Sequence, residues 1–376
     1  MRKLITAILT FSLLLNMGVQ VYAQEELEEN PNVLTYEQAV EAAWKNSKSL
    51  RSLEIDVEKT YEQRKRADQM YGFSISNVES MQGVGGDVAH AMLSGTINGL
   101  VAVDRQWQIA QKQYETAKEK IAYEVHAAYQ DVVIARKDLE IAENNLEQAR
   151  LEKQVANLKY DYGMMSDLEK VQFDQAYLSA SNTIESKKVT LEASYLTLDA
   201  LIRISDLRNM ELAIETKWEE IGDFDLDLHS NRVIDMSPDM WLLEQKRYLQ
   251  QMEVDNYTYN QASYDTYKVK QLNVDSVKNQ ISSTRDAIRD GVYKLHTTVQ
   301  DLEKKYQEVL INEKTLLEGV KSTKLYYELG MVPHLELLKI ENQLETLQFQ
   351  KFNLEAQHQR LLLLLNEPWL ASSGAN

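Results

Sequence analysis

The chain has 376 residues, a formal charge of −17, no cysteine, four prolines and thirteen glycines. That composition excludes an all-β fold, a collagen-like chain and a disulfide-stapled module. The acidity argues against a nucleic-acid backbone as partner and disfavours binding to anionic lipid, and the missing thiols remove redox and thiolate-metal chemistry.

Residues 1–23 read as a secretory signal. Arg2 and Lys3 precede a short apolar run from Leu4 to Leu15, and Val21 and Ala23 fit the small-residue rule at a cleavage site. Because the segment holds two bases and no acid, its removal would take the formal charge from −17 to −19. No later segment has 18 consecutive apolar residues. Residues 24–33 read as a linker, and a first helical hairpin repeat is expected over 34–203.

Runs 100–162, 164–221 and 239–290 lack both proline and glycine, which predicts helices far longer than a compact domain of this size contains. Leu139, Ala142, Leu146 and Ala149 form a seam with small residues. A heptad seam runs through Ile340, Leu344, Leu347, Leu354, Leu361 and Leu365, interrupted by Lys351 and His358. Six glycines cluster between Gly72 and Gly99. Within that insertion, Phe73–Val78 and Thr96–Val103 read as short strands or a loop. The matching slot of the second half, Tyr257 to Arg289, reads as mainly helix.

The chain repeats itself. Tyr123-Glu-Val-His126-Ala-Ala-Tyr-Gln130-Asp131 matches Tyr293-Lys-Leu-His296-Thr-Thr-Val-Gln300-Asp301, and Tyr160-Asp-Tyr-Gly163-Met164 matches Tyr327-Glu-Leu-Gly330-Met331. Each half is therefore expected to hold a leading helix, a long helix, a tight turn at the glycine and a return helix. Gly163 and Gly330 suit the left-handed C-terminal cap. Ser166-Asp-Leu-Glu169 is a capping box, and Pro333 suits the first turn of the second return helix. Residues 204–237 form a connector containing Asp223, Asp225 and Asp227. Residues 238–368 form the second hairpin repeat and 369–376 a tail.

Other chemistry is weakly signalled. There is no Walker loop, Gly-x-Ser-x-Gly or His-Glu-x-x-His, and the expectation is a protein that is not an enzyme. Gly83-Val-Gly85-Gly86-Asp lacks the third glycine of a dinucleotide fingerprint. Asp223-Phe-Asp225-Leu-Asp227 starts like a calcium loop but has leucine where that loop needs glycine, so an acidic surface loop is the default. His126 and His296 correspond under the repeat. A matched helix-packing layer explains them more simply than a metal, because no second ligand stands at metal spacing.

The ordered set of Leu34-Thr-Tyr-Glu-Gln-Ala-Val-Glu-Ala-Ala, the Tyr123–Asp131 stretch and the paired Tyr-x-x-Gly tips resembles the TolC-like outer-membrane efflux proteins over about 34–366. The resemblance implies a mainly α protomer of two tandem antiparallel helical hairpins. It also implies a homotrimer that passes exported solutes passively, docked to a periplasmic adaptor (membrane fusion) protein and an inner-membrane transporter. No cofactor and no nucleic acid is implied. The adaptor-docking tips would be Gly163, Met164, Met165 and Ser166, with Gly330, Met331, Val332 and Pro333. The channel-entrance gate would fall on Glu336 and Lys339, with Glu169 as the first-tip counterpart of Glu336. At Glu169 and Glu336 a favourable place at a helix N-terminus is an alternative reading to gating.

The sequence departs from that pattern in one respect. Two membrane strands per half, at ~9–11 residues each, are not evident, so the β-barrel is expected to be reduced or absent. The expected location is the cell envelope, outer membrane or its extracytoplasmic equivalent. The alternative function is a secreted helical coiled-coil scaffold or adhesin with no transport role.

Overall fold

The computed structural model describes residues 33–80, 86–204, 206–212, 218–222, 225–257 and 264–371. The signal segment 1–23, the linker short of Val33, Gly83, Gly85, Asp223 and the end of the tail lie outside the described residues.

The architecture is almost wholly helical. A short strand β1 (Val33–Leu34) leads into α1 (Tyr36–Asn46), α2 (Lys48–Ser80), α3 (Gly86–Asp161) and α4 (Asp167–Ile202). After β2 (Glu211–Leu212) come α5 (Leu226–Met236), α6 (Pro238–Asp255), α7 (Tyr267–Glu328) and α8 (His334–Asn366). At 1.5 Å per residue, the 76 residues of α3 span ~114 Å and the 62 of α7 span ~93 Å.

Neither long helix could stand alone, and each is covered end to end by two shorter ones. The Arg64–Asp104 ion pair and the Tyr61–Trp107 ring contact lay α2 on the first half of α3. Lys153–Asp174 and Lys187–Asp138 lay α4 on the second half. In the same way α6 covers the start of α7 through Lys270–Glu253, and α8 covers its end through Lys351–Glu313.

The apolar core is concentrated at the waist. There Val125, Ala128, Tyr129 and Val132 of α3 meet Ala39, Val40 and Ala43 of α1 and Tyr195, Leu198 and Ile202 of α4. The strands pair in parallel, Val33 with Glu211 and Leu34 with Leu212, and the Tyr129 hydroxyl donates to the Leu34 carbonyl at 2.6 Å. A second cluster holds Val233, Val292 and Leu365 with Trp369 and Leu370, so the first residues of the expected tail are buried.

The expected helical-hairpin fold class is present, with corrections. Phe73–Val78 lies inside α2 and Thr96–Val103 inside α3; neither is strand nor loop. Their β-branched residues favour strands locally. Yet helix formation is cooperative, and a helix already packed along its neighbour tolerates glycine at about 1 kcal/mol each. The slot opening the second half is mainly helix as expected, with α7 beginning at Tyr267. Asn256 closes α6, and the Thr266 hydroxyl caps α7 by accepting from Val269 N–H at 3.3 Å. Asp225 and Asp227 also have ordinary work. The Asp225 carboxylate accepts the Leu228 N–H at 3.0 Å, capping α5, and Asp227 accepts the Tyr293 hydroxyl.

The connection from α2 to α3 occupies residues 81–85, and that from α6 to α7 residues 256–266. Two membrane strands need ~9–11 residues apiece. Neither connection is long enough for such a pair, and among the described residues the only strands are the two-residue β1 and β2. No described helix is long and apolar enough to cross a membrane.

Candidate functional site at the hairpin tips

Both tips are built alike. At the first, Gly163 has φ +69° and its N–H donates to the Tyr160 carbonyl at 2.8 Å, while the Met164 N–H reaches back to Lys159 at 2.8 Å. At the second, Gly330 also has φ +69°, with Gly330 N–H to Tyr327 at 2.9 Å and Met331 N–H to Tyr326 at 2.8 Å. This is the two-bond closure that satisfies the last helical carbonyls and needs a left-handed residue. Met164 and Met331 are 69% and 67% exposed, whereas Met165 and Val332 are half-buried.

Gly319, inside α7, differs from the tip glycines. A Cβ there would lie 2.9 Å from the Ile340 Cδ1, a flexible side-chain end. Gly163→Ala is therefore expected to cost about 1 kcal/mol through its left-handed backbone. Gly319→Ala is expected to be neutral or stabilising by up to about 1 kcal/mol through helix propensity. Urea denaturation of the two variants checks the contrast, and equal losses would contradict it.

The return helices start differently. Ser166 caps α4 as expected: its hydroxyl accepts the Glu169 N–H at 3.4 Å, and the Glu169 carboxylate accepts the Ser166 N–H at 2.9 Å and its hydroxyl at 2.8 Å. The backbone bond from Ser166 and then its hydroxyl hold the Glu169 carboxyl below the usual carboxylate value. Glu169 is thus occupied by capping. Pro333 is the N-cap of α8, one position before the first helical turn, and has no side-chain cap bond.

A tyrosine braces each tip. Tyr160 bonds the Asp167 carboxylate, which raises its phenol above the ordinary value, and Lys170 lies 4.5 Å over its ring. Tyr327 meets the His334 ring edge-on at 5.7 Å.

Just behind the second tip, Lys339 joins two acids. Its Nζ lies 3.5 Å from Glu336, one turn back on α8, and 3.4 Å from Glu152 on α3. The structure therefore brings Glu336 and Lys339 together, leaves Glu169 with Ser166, and adds Glu152. A polar ladder continues from there along the α3–α8 seam. The Asn342 amide donates to the Asn144 carbonyl at 3.2 Å and to Gln148 at 3.0 Å, and Asn144 donates to Glu345 at 2.7 Å. The spacing Asn144, Gln148, Glu152, one polar residue per turn on one face of α3, was the sequence signal for this seam.

Of the two repeat histidines, His126 on α3 is part of the scaffold near the waist. His126 packs edge-on to Tyr36 at 5.4 Å and meets the Gln130 amide at 3.4 Å. Among the described residues no three His, Asp or Glu side chains are grouped to hold a metal ion.

No protein-family model matches the chain, and no curated protein matches it in sequence. Solved structures do match. The chain is similar to the Campylobacter jejuni CmeC outer membrane channel, at 11% identity over 91% of this chain and 87% of that one, with TM-score 0.62. It is similar to the outer-membrane channel OprN at 12% identity over 89% and 90%, TM-score 0.63. The outer membrane protein VceC of Vibrio cholerae matches at 11% identity over 88% and 96%, TM-score 0.59. At these identities the likeness is one of fold. The chain has the fold of the TolC-like outer-membrane channels, with no barrel strand among the described residues.

Proposed function

We propose that the chain is the envelope conduit of a tripartite efflux system: a passive channel of three copies whose duplicated hairpins form a hollow helical cylinder. The observation that carries this reading, beyond the fold, is a stripe of apolar residues along α4. Leu168, Val171, Leu178, Val189 and Leu196 keep heptad register and are 46–70% exposed. Such a seam suits a neighbouring helix from a second copy. In this reading the exported chain works outside the cytoplasm, carries out no reaction of its own, and meets an adaptor protein through Gly163–Ser166 and Gly330–Pro333. The Glu152–Lys339–Glu336 cluster supports a gate at the entrance, with Lys339 tying the two hairpins of one protomer together when the channel is shut.

Light scattering and negative-stain images of the purified chain test the assembly. The expected particle contains three chains around a hollow axis, and a Leu178→Glu/Val189→Glu double variant stays monomeric. A wild-type chain that remains monomeric at micromolar concentration and does not sediment with envelope membranes would leave the secreted-scaffold function in its place.

A further inference from the structure

At the end opposite the tips, α2, the start of α3 and α6 enclose a cavity of about 500 Å³, lined in part by Tyr61, Arg64, Asp68, Asp104, Arg105 and Tyr248. Its cations are not equivalent. Arg64 is committed: its Nε donates to Asp104 at 2.5 Å and its guanidinium lies 4.8 Å from the Trp107 ring centre. Lys65 lies 3.4 Å from Glu62.

Arg105 has no such counter-charge. Its Nη1 donates to the neutral Gln108 amide oxygen at 2.8 Å, and its guanidinium lies 4.8 Å from the centre of the Tyr248 ring. Its Nε is buried and meets no acceptor. Asp104 is held through one oxygen by Arg64 and through the other by Gln108, at 2.9 Å. Among the described residues, Asp68 included, no carboxylate lies within 4.0 Å of the Arg105 guanidinium. A guanidinium with a buried, unanswered N–H is completed by an anion that accepts more than one hydrogen bond, and phosphate geometry matches its planar fork.

The position says which phosphate. From Gln69 to Val103 the chain carries only two acids, Glu79 and Asp87, and no lysine or arginine, although 26% of its residues are charged. Met70 and Ile97, in that stretch, are 54% and 43% exposed, and Tyr61 and Tyr248 at the cavity are also exposed. Weakly charged helix ends beside aromatic and cationic side chains form the order of groups found across a lipid headgroup layer. We propose that, against the chain's net charge of −17, this cavity binds a phosphate group through its local cation, with Arg105 as its principal ligand, and that the phosphate belongs to an anionic lipid headgroup. The proposal is independent of the conduit reading and survives if the chain proves monomeric.

Sedimentation of the full chain with phosphatidylglycerol or phosphatidylcholine vesicles tests it, alongside Arg105→Gln and Lys304→Gln, which remove the same charge from the cavity and from an exposed site on α7. All three proteins share one N-terminus, so their differences report the cavity. Expected is preference for phosphatidylglycerol, about fivefold weaker binding for Arg105→Gln, unchanged binding for Lys304→Gln, and competition by inorganic phosphate in wild type only. Thermal stabilisation by inorganic phosphate, lost in Arg105→Gln but without vesicle binding, would support the phosphate site and overturn the lipid source. Equal behaviour of the two variants, or response to neither probe, would overturn the site itself.

Discussion

Between pH 6.5 and pH 4, the stability of the chain should fall by about 3 kcal/mol on account of His126 alone. Burial, and next the nearby Arg360 charge, push its imidazole down from the ordinary 6.5 to about 4. Its Nδ1 is buried with no partner and its Nε2 faces the Gln130 amide nitrogen, itself a donor, so a second ring proton has nowhere to bond. In the unfolded chain the ring protonates as pH falls through 6.5, while in the folded chain it stays neutral until about 4. Throughout that window the unfolded state holds more protons, and stability declines as pH falls. Above 6.5 both states are neutral and the group contributes nothing. Urea denaturation of wild type and His126→Gln from pH 7.5 to 4.5 separates this from carboxylate titration. The two stability curves should converge or cross toward low pH as the wild type loses ground, and parallel curves would refute the assignment.

Arg360→Ala should destabilise the fold by about 2–3 kcal/mol. From α8, this one guanidinium donates to the Gln130 side-chain oxygen at 2.5 Å, the Ala127 carbonyl at 2.8 Å and the Asp131 carboxylate at 2.6 Å, all on α3. Gln130 is only 2% exposed, so removing its donor strands a buried acceptor. Arg360→Lys should recover only part of the loss, because an ammonium cannot reproduce the fork. The substitution also removes the second cause of the low His126 value, so Arg360→Ala should narrow the acid window. The two changes should therefore not add. Denaturation midpoints of both single variants and the double variant measure this. A loss for Arg360→Ala below about 0.5 kcal/mol would contradict the role given to the clasp.

Much of the tip architecture was legible in the residues. Gly163, Gly330 and the Ser166–Glu169 box act within a few residues of themselves, so their outcome hardly depends on what the rest of the chain does. The glycine cluster misled for the opposite reason. Thr96–Val103 has strand-like residues but lies in a helix packed along a partner, and tertiary contact outweighs weak local preference. The connector was equally opaque. Trp218 stacks between the Tyr306 ring at 3.6 Å and the His358 ring at 4.1 Å, and nothing near residue 218 in sequence points to either.

The heptad seam of α8 shows where the division falls. Its apolar period, the Gly330 turn that precedes it and the absence of helix breakers determined by themselves that a long helix returns along its neighbour. Lys351 and His358 were visible there only as interruptions. The folded chain sets Lys351 2.9 Å from Glu313 and the fully buried His358 3.1 Å from Glu303, both across the seam on α7. Lys339 finds Glu152, and Arg360 finds Gln130 and Asp131, across some 190–230 residues of chain. A period of 3.6 says which face of a helix is buried, but not the rotation and sliding of one helix against another. Those are chosen by packing along the whole contact, and they alone decide which polar side chains meet.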